Sequence, residues 1–512
     1  MSPPASVGGL PDWLDPLPDA ERMRAIDAWA IDDRGVPSLE LMERAGAGLA
    51  GLAAELAPHG PLVVLAGKGN NGGDGLVAAR LLRDGGRELD VLLAGKADEL
   101  TGDAAANLER LPGAAPQALS GGIRGDAALI IDALLGTGSA GEPRGQIAAA
   151  IAAIEASSAP VLATDVPSGV DASTGVVAGV AVRALATATF HAAKPGLWIE
   201  PGRGHAGAVH VVDIGIPPGA PLAADVGLIR DELLLELLPR RGTGSNKFTS
   251  SAVHVAGGSP GLTGAPCMSA MAAQRAGAGY VTVAVPQSLS LIFETRLLEV
   301  MSVALPDNAG ALTRDGLPRL LELASRGGAL VLGPGVGRSD DALAFVRAAV
   351  TQSELPTVLD ADGLSAYGGE LSKLSDARRA PLVITPHEGE LGRLLGIPSR
   401  EVAAERLRCA REAATQSRAV VVLKGDDTLI ADPVGRVAIS PGATPGLATA
   451  GTGDVLSGVL GALLAAGLEP FAAAAAAVRL HALAARRAAE RHGRDGMIAS
   501  DVIEQLSAVR SR

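Results

Sequence analysis

Short apolar runs, each stopped by a glycine or a polar residue at a strand end and followed by a helical stretch, recur along this chain and restrict it to a parallel α/β architecture. In the first half the runs are 61–66, 128–131, 161–164 and 186–190, and they end at Gly67, Asp132, Asp165 and His191. In the second half they are 252–256, 329–332, 357–359, 382–384 and 420–423, ending at Gly257, Gly333, Asp360, Thr385 and Lys424. Residues at the C-terminal ends of neighbouring parallel strands converge on one crevice, which is where open α/β sheets bind ligands. A chain of 512 residues exceeds one ordinary core, so two large α/β domains are expected. The pattern loosens around Pro217-Pro218, Pro221 and Pro239-Arg240-Arg241-Gly242, which places a linker at 225–245 between domains 19–224 and 246–512.

A formal net charge of -12 without a run of Lys or Arg disfavours nucleic acid or an anionic membrane as the main partner. Cys267 and Cys409 have no CxxC partner and are expected to be core residues in a reducing compartment. Residues 1–18 lack the basic start and apolar centre of a signal peptide, and no apolar run is long enough for a membrane span, so a cytoplasmic location is expected.

Three glycine-rich segments carry the chemistry. Gly67-Lys68-Gly69-Asn70-Asn71-Gly72-Gly73-Asp74-Gly75 is expected to be a loop in which amide oxygens read a ligand or a cation and backbone N–H groups approach phosphate, with a helix from 76 to 83. Asp132 leads into Gly136-Thr137-Gly138, and Asp165 into Ser168-Gly169. Thr444-Pro445-Gly446-Leu447-Ala448-Thr449-Ala450-Gly451-Thr452-Gly453-Asp454 offers free backbone N–H groups at the start of an apolar helix over 455–466, whose dipole favours an anion. Asp454 could cap that helix, or take the proton of a hydroxyl attacking a phosphoryl group. No GxxxxGK[ST] is present, and a glycine-rich anion hole followed at once by an acid resembles the ribokinase-like kinases. His387 follows a strand, sits beside Glu388 and Glu390 and reads as a ligand contact, whereas His254, His481 and His492 read as structural.

The motifs Gly35-Val36-Pro37-Ser38, Met42-Glu43-Arg44-Ala45-Gly46, Asn70 to Gly75, Asp132 to Gly138, Asp165 to Gly169 and Thr189-Phe190 with Lys194-Pro195-Gly196 resemble the NAD(P)HX epimerase family. That resemblance implies a Rossmann-like αβα sandwich that interconverts the epimers of hydrated NADH or NADPH. It implies K+ held by Asn71, Asp132 and Ser168. Asn70-Asn71-Gly72-Gly73-Asp74, Gly136-Thr137-Gly138-Ser139-Ala140-Gly141-Glu142 and Asp165 would line the substrate pocket, with Asp165 catalytic.

In the second half, Gly258-Ser259, Gly264-Ala265, Gly333-Pro334-Gly335, Asp360-Ala361-Asp362, Thr385-Pro386-His387 with Glu390, Lys424-Gly425 with Thr428, and Ala450 to Asp454 resemble, in order, the ADP-dependent NAD(P)HX dehydratase family. The implied domain is a ribokinase-like αβα domain. Lys424-Gly425-Asp426-Asp427-Thr428 and the 444–453 loop would hold the adenine nucleotide, while Gly335, His387 and Asp454 would meet the hydrated nicotinamide, with Asp454 as the catalytic base. ADP as phosphoryl donor and Mg2+ on its phosphates follow, Glu390 being a candidate for organising them. The whole chain resembles a fused repair enzyme for hydrated NADH and NADPH, acting on small molecules and expected to be a homo-oligomer. Two competing readings are a vitamin-precursor or sugar kinase with an accessory nucleotide-binding domain, and a first half serving as a nucleotide- or RNA-binding scaffold. A stable phosphorylated product would distinguish the first, and RNA binding without epimerisation the second.

Overall fold

The computed structural model describes residues 9–119, 122–221, 224–240, 251–376 and 378–510. The 241–245 part of the expected linker and the expected domain start at Asn246 lie outside them. The chain divides into two compact units, Pro16–Val226, and Met1–Asp15 with Gly227–Arg512. Within 225–240 lie a strand, Val226–Ile229, and a helix, Asp231–Glu236.

The Pro16–Val226 unit is built on seven parallel strands. In space they run Gln117–Ala118, Leu89–Leu93, Leu62–Ala66, Leu129–Ala133, Val161–Thr164, Ala186–Phe190 and Ala208–Val212. Numbered in chain order, this is third, second, first, fourth, fifth, sixth, seventh, the doubly wound order of a Rossmann-like sheet. Strands Leu62–Ala66 and Leu129–Ala133 are buried along their whole length, as expected of runs covered by helices on both faces. The order reverses between these two strands, and the crevice at their C-terminal ends is where Asn70 to Asp74 and Asp132 to Gly138 emerge.

The second unit repeats this order. Met301–Leu305, Tyr280–Pro286, Ala252–Ala256, Ala329–Leu332, Thr357–Leu359, Leu382–Ile384 and Val420–Leu423 are parallel. The antiparallel strands Leu429–Ala431 and Val437–Ile439 extend the sheet. With aromatics at only 2% of the chain, its core closes by bringing small residues together. Ala473 to Ala477 of helix Pro470–His492 are all buried. In helix Thr452–Ala465, a Cβ on Gly458 would stand 2.0 Å from the Ser269 carbonyl oxygen, and one on Gly461 would stand 2.5 Å from Val331 Cγ2. These glycines let the helix lie directly against helix Gly264–Arg275 and the sheet, which sets where Asp454 points.

Arg479, buried in helix Pro470–His492, grips Asp231 with Nε at 2.6 Å and Nη2 at 2.9 Å, and donates to Ser440 Oγ and the Gly442 carbonyl, both at 2.9 Å. It anchors the approach to the 444–454 loop. Among the described residues no helix is long and apolar enough to cross a membrane.

Candidate functional site

In the Pro16–Val226 unit, the residues expected to form a loop at 70–75 are the first turns of helix Asn70–Asp84, whose N-cap is Gly69. Glycine normally weakens a helix, but here closeness demands it. A Cβ on Gly72 would stand 1.9 Å from the Gly67 carbonyl oxygen, one on Gly73 would meet Met42, and one on Gly75 would meet Ala133. The helix start is thereby pressed against the strand ends, and Asn70, Asn71 and Asp74 line a cavity of about 750 Å³ with Gly136, Thr137, Asp165 and Lys194. Ser139 and Gly138 also border it, while Ala140, Gly141 and Glu142 line an adjoining cavity of about 400 Å³.

Asp165 follows its strand in a left-handed conformation with φ of 67°, a strained position for a residue other than glycine. Its carboxylate is held from both sides. Lys194 Nζ donates to Oδ1 at 2.6 Å, and the Thr137 amide donates to Oδ2 at 3.1 Å with the Thr137 hydroxyl on the same oxygen. Lys194 is itself buried and also donates to Thr189 Oγ1 and the Phe190 carbonyl, each at 2.9 Å. Burial would raise the Asp165 pKa, but the Lys194 ammonium and these hydrogen bonds hold it below the ordinary carboxylate value. Asp132 differs: Ser168 Oγ and Ser168 N donate to it at 2.7 and 2.9 Å, yet burial pushes it up to about 6, with no cation against it among the described residues.

In the second unit, Gly451 takes the N-cap of helix Thr452–Ala465 in a left-handed conformation, so Asp454 is its third residue and its side chain does no capping. The Asp454 carboxyl rises to about 7, through burial first, then the Asp360 carboxylate beside it, with Lys424 offsetting part. Asp360 is buried at the end of strand Thr357–Leu359, accepting from Ser457 Oγ at 2.6 Å and from Lys424 Nζ at 3.0 Å. Lys424 Nζ also lies 3.6 Å from Glu390 Oε2. His387 caps helix Glu388–Leu395: its Nδ1 accepts from the Gly389 and Glu390 amides, and Glu390 accepts from the His387 amide at 2.9 Å. Nδ1 is thus committed as an acceptor, and Nε2, 3.6 Å from Glu390 Oε1, is the ring atom that carries the proton.

Gly335 sits at φ of 62° with its carbonyl held by Ser259 Oγ at 2.9 Å. Its neighbour Gly333 leaves room for the Asp360 carbonyl oxygen, which a Cβ would approach to 2.1 Å. Along the 424–428 loop the roles divide. Thr428 Oγ1 donates to the Gly425 carbonyl at 2.6 Å, Asp426 is exposed, and Asp427 is turned inward onto buried Arg406, with Nε at 2.9 Å and Nη2 at 2.8 Å. A Cβ on Gly425 would stand 2.4 Å from Arg406 Nη2. In the 444–454 loop, Thr444 Oγ1 accepts from Gly446 N, and Thr452 Oγ1 donates to the Leu447 and Thr449 carbonyls at 2.8 and 2.9 Å. Both loops are held in shape by their own hydroxyls.

The NAD(P)H-hydrate dehydratase family is matched over residues 253–508, and the YjeF-related protein N-terminus family over 38–196. A protein of Salinibacter ruber named bifunctional NAD(P)H-hydrate repair enzyme Nnr is 40% identical, over 96% of this chain and 96% of its own length. The chain belongs to the bifunctional NAD(P)H-hydrate repair enzymes. The Escherichia coli K12 protein of the same name is 35% identical over 96% of this chain and 93% of its own. The ADP/ATP-dependent NAD(P)H-hydrate dehydratase from Bacillus subtilis, co-crystallized with ATP/Mg2+, is 28% identical over 55% of this chain and 96% of its own, with a TM-score of 0.48. A small-molecule kinase with an accessory domain is not favoured, since the relatives match both units under the repair-enzyme name.

The sequence motifs alone assign no role to several polar residues of this NAD(P)H-hydrate repair enzyme: Asp27, Lys194, Asp360, Arg406 and Ser457. Lys194 and Asp360 stand inside quoted motifs, so a signal existed. Arg406 and Ser457 sit in helices without a motif, and only the fold brings them to Asp427 and Asp360.

Proposed function

We propose that the Pro16–Val226 unit interconverts the R and S epimers of hydrated NADH and NADPH, and that the second unit dehydrates the S epimer with ADP. What carries this reading is one chain matched over nearly its whole length by repair enzymes, with a cavity around Asp165 in the first unit and Asp360, Lys424 and Asp454 gathered in the second. Hydroxide leaves a carbon poorly. In the second unit Asp454 takes the proton of the ring hydroxyl as that oxygen attacks the β-phosphorus of ADP, releasing AMP. Phosphate then departs from the ring carbon as a proton leaves the neighbouring one, restoring the reduced nicotinamide. Lys424 and the N–H groups of the 444–453 loop offset the charge on the moving phosphoryl group.

Mg2+ bound to the ADP phosphates would neutralise part of that charge, and Glu390 suits it as a partly buried carboxylate beside Lys424. Among the described residues no group of three His, Cys, Asp or Glu side chains is placed to hold a metal alone, which fits an ion carried with the nucleotide. In the first unit, Asn71, Asp132 and Ser168 supply hard oxygens, and among the described residues the buried Asp132 carboxylate has no cationic partner, so a monovalent cation fits. K+ would fix the strand ends around the pocket.

Because Asp454 must be ionised and its carboxylate is lost as pH falls through about 7, kcat/KM for dehydration should drop about tenfold per pH unit below that point. A rate unchanged down to pH 5.5 would contradict the base role. Replacing K+ by choline should slow inversion of the R epimer by at least about tenfold without slowing dehydration of the S epimer. Chiral chromatography follows the first and absorbance of the reduced nicotinamide the second. Absence of AMP and phosphate among the products would refute the ADP-dependent scheme.

A further inference from the structure

Helix Ala20–Ala28 lays Met23 and Asp27 along the 750 Å³ cavity that also holds Asp74, Asp165 and Lys194. Met23, Ile26 and Ala30 make a buried apolar stripe on this segment, so an acid at position 27 breaks the pattern. Acids in such places are usually caps or ion-pair partners, and Asp27 is neither. The helix is capped by Asp19, which accepts from the Arg22 amide at 2.8 Å. Among the described residues the Asp27 carboxyl takes part in no hydrogen bond or ion pair. It faces the cavity with its bonding capacity unspent.

We propose that Asp27 is a catalytic acid of the epimerisation, the partner of Asp165 in inverting the hydrated ring. This rests on the epimerase reading of the same cavity. Hydration of a dihydropyridine leaves the hydroxyl on the carbon next to the ring nitrogen. Inverting that carbon by loss and return of water breaks the C–O bond toward one face and forms a new one from the other, a route that uses two proton-handling groups. Asp27 gives its proton to the hydroxyl oxygen. The C–O bond breaks, water departs, and the ring nitrogen's electron pair closes a C=N+ bond. A water molecule then adds to the same carbon from the opposite face, its proton passing to the Asp165 carboxylate while the C=N electrons return to nitrogen. The reverse inversion runs with the acids exchanged, and solvent exchange resets their protonation.

Environment divides the two acids as this scheme needs. Asp165 is held ionised by Lys194 and Thr137. Burial pushes Asp27 up to about 6, Lys194 opposing and Asp165 adding, which leaves it able to exchange protons near neutral pH. Asp74, buried more deeply, is pushed up by burial first and then by Asp165 and Asp27.

The test uses the full chain with purified R epimer of hydrated NADH and no ADP, in H2(18)O, with chiral chromatography and mass spectrometry. Asp27→Asn is expected to slow inversion at least about 100-fold, while Asp27→Glu, which keeps the carboxyl, retains about a tenth or more. Wild-type product should gain one 18O per inversion, a readout independent of how any variant folds. Inversion by Asp27→Asn within about threefold of wild type, or inverted product without 18O, would overturn the proposal. A wild-type protein that inverts no faster than buffer would sink the epimerase reading itself, and Asp27's role with it.

Discussion

Asp454→Asn is expected to lower ADP-dependent dehydration by about 10²–10⁴-fold while leaving inversion of the R epimer unchanged. The change is nearly isosteric and removes only the proton acceptor. The carboxylate stands close to the Asp360 and Glu390 charges with Lys424 as its main relief, so the folded protein carries an electrostatic cost whenever Asp454 is ionised. A carboxyl whose folded pKa is raised costs stability progressively as pH rises from its unfolded pKa, and the cost is complete above the folded pKa. The variant should therefore melt higher than wild type at pH 8, with the gain shrinking as pH falls and vanishing only at pH ~4. Loss of activity together with this pH-dependent gain in Tm would separate a missing base from a damaged fold. A variant that dehydrates at the normal rate would remove Asp454 from the chemistry.

Lys194→Met should have the largest effect on stability. It leaves the buried Asp165 carboxylate without its cation, and breaking a buried pair by removing one partner costs about 3–5 kcal/mol. Lys194 also donates to Thr189 Oγ1 and the Phe190 carbonyl, so each of these loses one donor. In wild type the depressed Asp165 pKa contributes stability that persists down to the ordinary carboxylate range. In the variant that pKa should instead rise, so the deficit against wild type should shrink as pH falls from 7 to 5, when Asp165 can fold neutral. Denaturant unfolding at both pH values measures this. Inversion should be lost at both, because Asp165 is then either misplaced or protonated. A deficit independent of pH would mean that Lys194 acts through packing alone.

The strand-end residues were legible because physics puts them there: parallel strands deliver their C-terminal loops to one crevice, and glycines and acids in those loops mark it. Asp132, Asp165 and Lys424 stand where that logic places them, whereas Asp454 stands in the first turn of a helix. The 70–75 segment misled because its glycines suggested a loop, whereas they serve the close packing of a helix start on Gly67, Met42 and Ala133. His387 and Asp427 show another limit. A polar residue in a ligand motif can be spent on the protein, His387 Nδ1 on a helix cap and Asp427 on Arg406, and local sequence does not reveal which atoms remain. Asp27 was invisible for a third reason. It lies in a separate helix, near 140 positions before Asp165, and only the fold brings both to one cavity.

The most direct measurement of two activities in one chain follows absorbance of reduced nicotinamide when the purified protein receives a mixture of both hydrate epimers with Mg2+, K+ and ADP. Both epimers should return to NADH, with AMP and phosphate formed in equal amounts, and without ADP nothing should be restored. A plateau at the S share of the mixture, with the R share rising afterwards only at the buffer rate, would contradict it.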